Sequence, residues 1–129
     1  MTRAAAVPPF RTLDPALAAA ERLLTTDLST VVAALPDELL AAARLNTLLA
    51  GASPRLARTR QGWQVIHVDA AGEPSDSAVA AGGLATLVAV AGWTRLKRCE
   101  TCATPFLDRT NGRTRRWCAG HRPHRTPQR

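Results

Sequence analysis

Aromatic side chains are scarce: the chain has no tyrosine, two phenylalanines and three tryptophans in 129 residues. A core that cannot be built from rings must be built from aliphatics, and alanine, leucine and valine dominate the hydrophobic fraction. That favours a helical body with small side chains at its contacts. No apolar run approaches the roughly 20 residues that cross a bilayer. The start, Met1-Thr2-Arg3-Ala4-Ala5-Ala6-Val7-Pro8-Pro9, lacks the long apolar stretch of a secretory signal. A cytoplasmic protein with no membrane association is expected. Cysteine is limited to three residues, which cannot all pair within one chain, so a disulfide scaffold is not expected. A Ser-His-Asp signature, a Gly-rich phosphate loop and an HExxH pair are also missing, and no enzyme is expected.

What is present is unevenly placed. Of the net charge of +7, residues 1–94 contribute −1, from seven arginines against eight acids. Residues 95–129 contribute +8, from ten basic residues against Glu100 and Asp108. All three cysteines and two of the three histidines lie in that basic segment. The chain therefore reads as a near-neutral body, 1–93, followed by a basic Cys/His segment, 94–129. A piece of about 35 residues seldom folds without a metal or disulfides.

In the body, residues 1–12 read as a loose leader. Asp14-Pro15 opens an amphipathic helix to about Leu24, and Val31, Val32 and Leu35 form a short turn before Pro36. A second helix starts near Pro36, with Asp37 and Glu38 in its first turn. It buries Ala41, Leu45, Leu48 and Leu49 and is capped by Gly51. Residues Arg55 to Arg60 and Trp63 to Val68 predict a β-hairpin about Gln61-Gly62. After a polar loop, Asp76 or Ser77 caps a third helix over 77–91. Val79, Leu84, Leu87, Val88 and Ala89 leave it apolar around its circumference, which predicts burial. Gly82-Gly83 either weakens it or admits a close neighbour, and Gly92 ends it. The fold class is α+β: a mostly helical body with a small hairpin, then a finger.

The chemistry lies in Cys99-x2-Cys102-x15-Cys118-x2-His121. Two cysteines two residues apart can meet a metal from one tight knuckle. A second pair at that spacing can do so from one turn of helix, where i and i+3 share a face. Between them, Thr104 to Asp108 and Arg113 to Trp117 predict a hairpin about Thr110-Asn111-Gly112. Phe106 and Trp117 would then cover one side of the metal. This is the layout of a treble-clef-like finger holding one structural Zn2+ in a closed four-ligand set. His124 is an alternative to His121 as fourth ligand. The competing reading is that Cys99 and Cys102 are incidental thiols or a redox pair. His67 reads as an ordinary packed or exposed histidine, and Asp69, Glu73 and Asp76 as solvated loop carboxylates.

Trp93-Thr94-Arg95-Leu96-Lys97-Arg98-Cys99-x2-Cys102, Phe106 to Gly112 and Arg115-Arg116-Trp117-Cys118 together resemble the C-terminal zinc finger of the CGNR family. The resemblance is dense over about 93–118, whereas the body matches only in general layout. It implies an N-terminal, mostly helical ABATE domain and a stress-related bacterial transcription regulator. The family's naming motif, Cys-Gly-Asn-Arg, supplies a fourth cysteine. Here the chain reads Cys118-Ala119-Gly120-His121-Arg122-Pro123-His124-Arg125, so the fourth ligand rests on spacing alone.

Arginine suits phosphate oxygens bidentately, and a polyanion gains from counterion release. Lys97, Arg98, Arg109, Arg113, Arg115, Arg116, Arg122 and Arg125 therefore form the candidate nucleic-acid surface, with double-stranded DNA the expected partner. The opposing reading is that Arg115 and Arg116 brace the finger against the body. A protein-interaction adaptor and a thiol redox sensor are the alternative functions. The body could supply a small-molecule pocket or a homodimer interface.

Overall fold

The structure, a computed structural model, describes residues 10–121. Expectations that fall on 1–9 and 122–129, including those for Arg122, His124 and Arg125, lie outside the described residues. Among the described residues the fold is α+β, with four helices and two β-hairpins.

Helix α1 (Ala16–Arg22) follows Asp14, whose Oδ1 accepts from the Ala18 amide at 3.0 Å. A 3-10 turn over Arg11–Leu13 precedes it, and Phe10 and Leu13 pack on the core. The expected loose leader therefore ends earlier than residue 12. Helix α2 (Ser29–Ala34) replaces the expected short turn. Valine is a poor helix former, but Val31 and Val32 are both buried, and that burial outweighs the local preference. The residue before Pro36, Leu35, is extended, as a following proline requires. Helix α3 (Glu38–Leu49) is capped by Asp37, whose carboxylate accepts from the Leu40 amide at 3.0 Å. It buries Ala41 and Leu45, leaves Leu48 and Leu49 half-buried, and closes on Ala50 rather than Gly51.

Strands β1 (Ser53–Thr59) and β2 (Gly62–Val68) pair antiparallel in the register Thr59↔Gly62 to Ser53↔Val68. The turn is Arg60-Gln61, one residue earlier than expected; Gly62 follows it with φ 97°, open to glycine without strain. Helix α4 (Asp76–Ala91) is capped by Ser75, one residue before the expected cap, and its Oγ accepts from the Ala78 amide. Burial is not uniform around it. Ala78, Ala80, Ala81, Leu84 and Leu87 are buried, Val79 and Val88 are half-buried, and Ala89 and Val90 face solvent.

The glycine pair explains how α4 meets its neighbours. A methyl group on Gly83 would collide with the Ala16 carbonyl of α1, and one on Gly82 with the His67 ring of β2. The glycines thus admit a close approach of two elements at once. Leu17, Leu24, Leu28, Val31, Leu45, Leu84 and Leu87 form the centre of the core, and Leu107 from the basic segment joins the same cluster. Trp93 and Leu96 pack against it. No described helix is long and apolar enough to cross a membrane.

Candidate metal centre

Strands β3 (Leu96–Arg98) and β4 (Pro105–Leu107) pair antiparallel, with Lys97 opposite Phe106. The segment joining them is the Cys99–Thr104 knuckle. The Cys99 amide donates to the Thr104 carbonyl and the Ala103 amide to the Cys99 carbonyl, each at 2.8 Å. Ala103 adopts φ 64°, a left-handed conformation that costs a non-glycine residue about 1–2 kcal/mol.

This pairing corrects the expected hairpin. Thr104 to Asp108 does contain a strand, but it pairs backwards with β3, and Arg113 to Trp117 forms none. The reason is Asp108, which is 1% exposed. Its Oδ1 accepts from the Thr110 amide at 2.8 Å and from the Thr110 hydroxyl. Its Oδ2 accepts from the Arg115 amide at 3.1 Å and Lys97 Nζ at 2.6 Å. One carboxylate therefore gathers both flanks of Asn111-Gly112 and winds them into a loop. The left-handed residue of that loop is Arg113, at φ 56°, rather than Gly112. Lys97 Nζ also donates to the carbonyls of Arg113 and Arg115. Burial opposes ionisation of Asp108, but the donors from Lys97 and Thr110 outweigh it and hold its pKa down at about 2.

The loop returns the chain to the knuckle, where the Glu100 amide donates to the Arg116 carbonyl at 3.0 Å. Cys118 follows, then a 3-10 turn over Ala119–His121 in which the His121 amide donates to the Cys118 carbonyl. The second pair of donors thus comes from a 3-10 turn instead of an α-helix.

Cys99, Cys102, Cys118 and His121 converge, with one donor atom from each lying within 4.8 Å of all the others. Cys102 Sγ is 3.7 Å from Cys118 Sγ. His121 Nδ1 is 3.3 Å from Cys118 Sγ and 3.8 Å from Cys99 Sγ. Tetrahedral zinc bonds of about 2.3 Å to sulfur and 2.0 Å to nitrogen place ligand atoms roughly 3.5–3.8 Å apart. The donor set fits one metal ion in size and in chemistry. Cys99 is buried, and burial raises its pKa; the amides of Cys118, Cys102 and Thr101 outweigh this and bring the thiol down to about 6. Cys118 moves up, through burial and its two thiol neighbours. Cys102 Sγ donates to Thr104 Oγ1 at 3.0 Å. Phe106 is buried beneath the Arg115 guanidinium, 4.5 Å from its ring centre, and the half-buried Trp117 lies under Arg116 at 4.8 Å.

The candidate phosphate-binding cations are largely engaged within the protein. Arg109 bridges to Asp14 at 2.7 Å and Glu21 at 2.9 Å, joining the finger to α1. Arg116 pairs with Glu100 at 2.8 Å on the surface. Arg115 Nε donates to the Trp117 carbonyl, Arg98 to the carbonyls of Ala103 and Val32, and Arg113 to Thr94 Oγ1. Lys97 is held by Asp108. Arg98, Arg113 and Arg116 remain exposed.

His67 is packed against α4 and takes no part in the cluster. Asp69 orders its own loop by accepting from the amides of Ala71 and Glu73. Asp108 and Thr104 are the residues that reading the sequence missed. The placement of Asp108 six residues after Cys102 carries no motif of its own, although Asp-x-Thr is a turn-forming pattern that would have flagged it. No family model and no curated protein matches the chain.

Proposed function

We propose that the chain is a zinc-dependent DNA-binding protein, a transcription regulator of the CGNR type. The convergence of three thiols and one imidazole within 4.8 Å carries the zinc part of the reading. Such a set is closed and leaves no position for a substrate, so the metal's contribution is to cross-link the knuckle to the Cys118–His121 turn. Three thiolates, one neutral imidazole and Zn2+ sum to −1, which offsets little of the +8 carried by residues 95–129. That excess supports contact with a duplex backbone. Arg98, Arg113 and Arg116 are exposed on the finger, and Arg122 and Arg125 continue the run in sequence. Lys97, Arg109 and Arg115 then act by holding the finger in shape.

Metal analysis tests the first part. The wild type and His124→Ala should each hold one zinc per chain, and His121→Ala should lose it. Zinc retained by His121→Ala defeats the ligand assignment. Fluorescence anisotropy with a DNA duplex tests the second part. Arg98→Gln with Arg113→Gln should weaken binding and make its salt dependence shallower by about 2 logarithmic units per decade of salt. Salt-insensitive binding by the zinc-loaded protein overturns the DNA reading. The internal pairing of Arg109, Arg115 and Arg116 favours a second reading, a protein-interaction adaptor. A pull-down that recovers a protein partner and no nucleic acid would select it.

A further inference from the structure

The ribbon β1–β2 stands apart from the finger in sequence and in chemistry. Residues 53–68 contain Arg55, Arg58 and Arg60, one histidine and no acid. All three arginines are exposed, and among the described residues none has an ion-pair partner. The sheet has two strands, and β2 packs on the body through His67 and the buried Val68. On the outward surface, Trp63 is 64% exposed and Leu56 66%. Trp63 sits opposite Arg58 in the register, with the guanidinium 6.0 Å from its ring centre. Arg60 lies in the adjoining turn, whereas Arg55 pairs with Ile66 and points to the other face, toward the Gly72 loop. The indole thus stands with Arg58 beside it and Arg60 at the ribbon's end.

We propose that this ribbon binds single-stranded nucleic acid, with Trp63 as a stacking platform for an unpaired base and Arg58 and Arg60 engaging the phosphates. Unpaired strands offer both chemistries at once: a π-face at each base and a charge at each linkage. A duplex offers the charge and hides the faces. An acidic peptide satisfies the arginines and leaves the indole without a role. A second copy of the chain on this face would set Arg58 and Arg60 against their own equivalents, which like-charge repulsion opposes. The inference concerns a surface separate from the metal centre and does not depend on the finger's reading.

The test uses the full zinc-loaded chain and a fluorescent oligodeoxythymidylate of about 16 nucleotides, the upper end of common site sizes. Trp63→Ala should weaken binding about tenfold or more, and Trp63→Phe should retain most of it, because the ring is what stacks. Replacing Arg58 and Arg60 with glutamine should make the salt dependence shallower by about 1.4, at roughly 0.7 per phosphate contact on single strands. Far-UV circular dichroism should be unchanged in every variant, since these side chains are exposed. Duplex binding should be indifferent to Trp63→Ala, and polyglutamate should compete without regard to Trp63. Unchanged affinity for the oligonucleotide in Trp63→Ala overturns the proposal. So does an equal loss on the duplex, or displacement by polyglutamate that depends on Trp63.

Discussion

The ribbon β1–β2 pairs seven residues with seven, whereas β3–β4 pairs three with three. An isolated two-stranded pair is marginal at best, and the shorter one cannot stand on its ladder alone. The finger makes up the difference with side chains. Lys97 and Arg109 are both paired to carboxylates, one of them fully buried, and Leu107 is sunk in the core of the body. The ribbon needs less of this, and its arginines are unpaired among the described residues. Two basic hairpins in one chain therefore use their cations in different ways. In the short one Lys97 is committed to structure, as is Arg109 just beyond it, and in the long one the arginines are available to a partner. Positive charge counted along a sequence does not separate these uses; the acids within reach do.

The contrast is sharpest at Asp108. Asp108→Asn should cost roughly 2–3 kcal/mol in urea unfolding, because Lys97 and the Arg115 amide lose a charged acceptor in a buried place. The cost should depend on pH in a definite direction. The folded pKa, about 2, lies below the ordinary value of 3.8, so the unfolded chain takes up the proton first. The stabilisation is complete above about pH 5 and is lost as pH falls toward 2. The gap between wild type and Asp108→Asn should narrow over that interval, and a constant gap would show that the carboxylate's charge is not what matters. Next in size, Arg109→Gln should cost about 1–2 kcal/mol, through the loss of charged hydrogen bonds to Asp14 and Glu21. A chain stabilised or unaffected by that change would place Arg109 with the available cations. In the opposite direction, Ala103→Gly should stabilise the knuckle by about 0.5–1 kcal/mol by relieving its left-handed residue. Smallest of all, Arg58→Gln and Arg60→Gln should each stay within about 0.5 kcal/mol of wild type. A larger loss would mean that the ribbon, like the finger, spends its arginines on itself.

The parts legible in the sequence were those with a local cause. The acids Asp37 and Glu38 announced α3, although Asp37 caps the helix instead of lying in its first turn, and the Cys-x2-Cys and Cys-x2-His spacings announced four side chains that do converge. The misreadings share a different cause. Asn111-Gly112 is a strong hairpin signal, but the acceptor that overrides it is Asp108, and its donors Lys97 and Arg115 lie 11 and 7 residues away. Read along the chain, Asp108 is one acid subtracted from a basic total; folded, it is the centre of the loop. Likewise, Val31 and Val32 read as part of a short turn before Pro36, and their burial in the core accompanies a helix there instead. His121 was separable from His124 by spacing alone, and among the described residues the structure brings His121 to the thiols.

The bridge from Arg109 to Asp14 and Glu21 spans 95 and 88 positions of chain. Together with Leu107 in the core, it means that α1 is held by a segment far along the chain. Contacts this distant are slow to form and late to reward the closure of the intervening chain. The body's apolar interior therefore includes a side chain that the basic segment supplies, and a truncation before Leu107 would take away part of that core together with the Cys118–His121 donors.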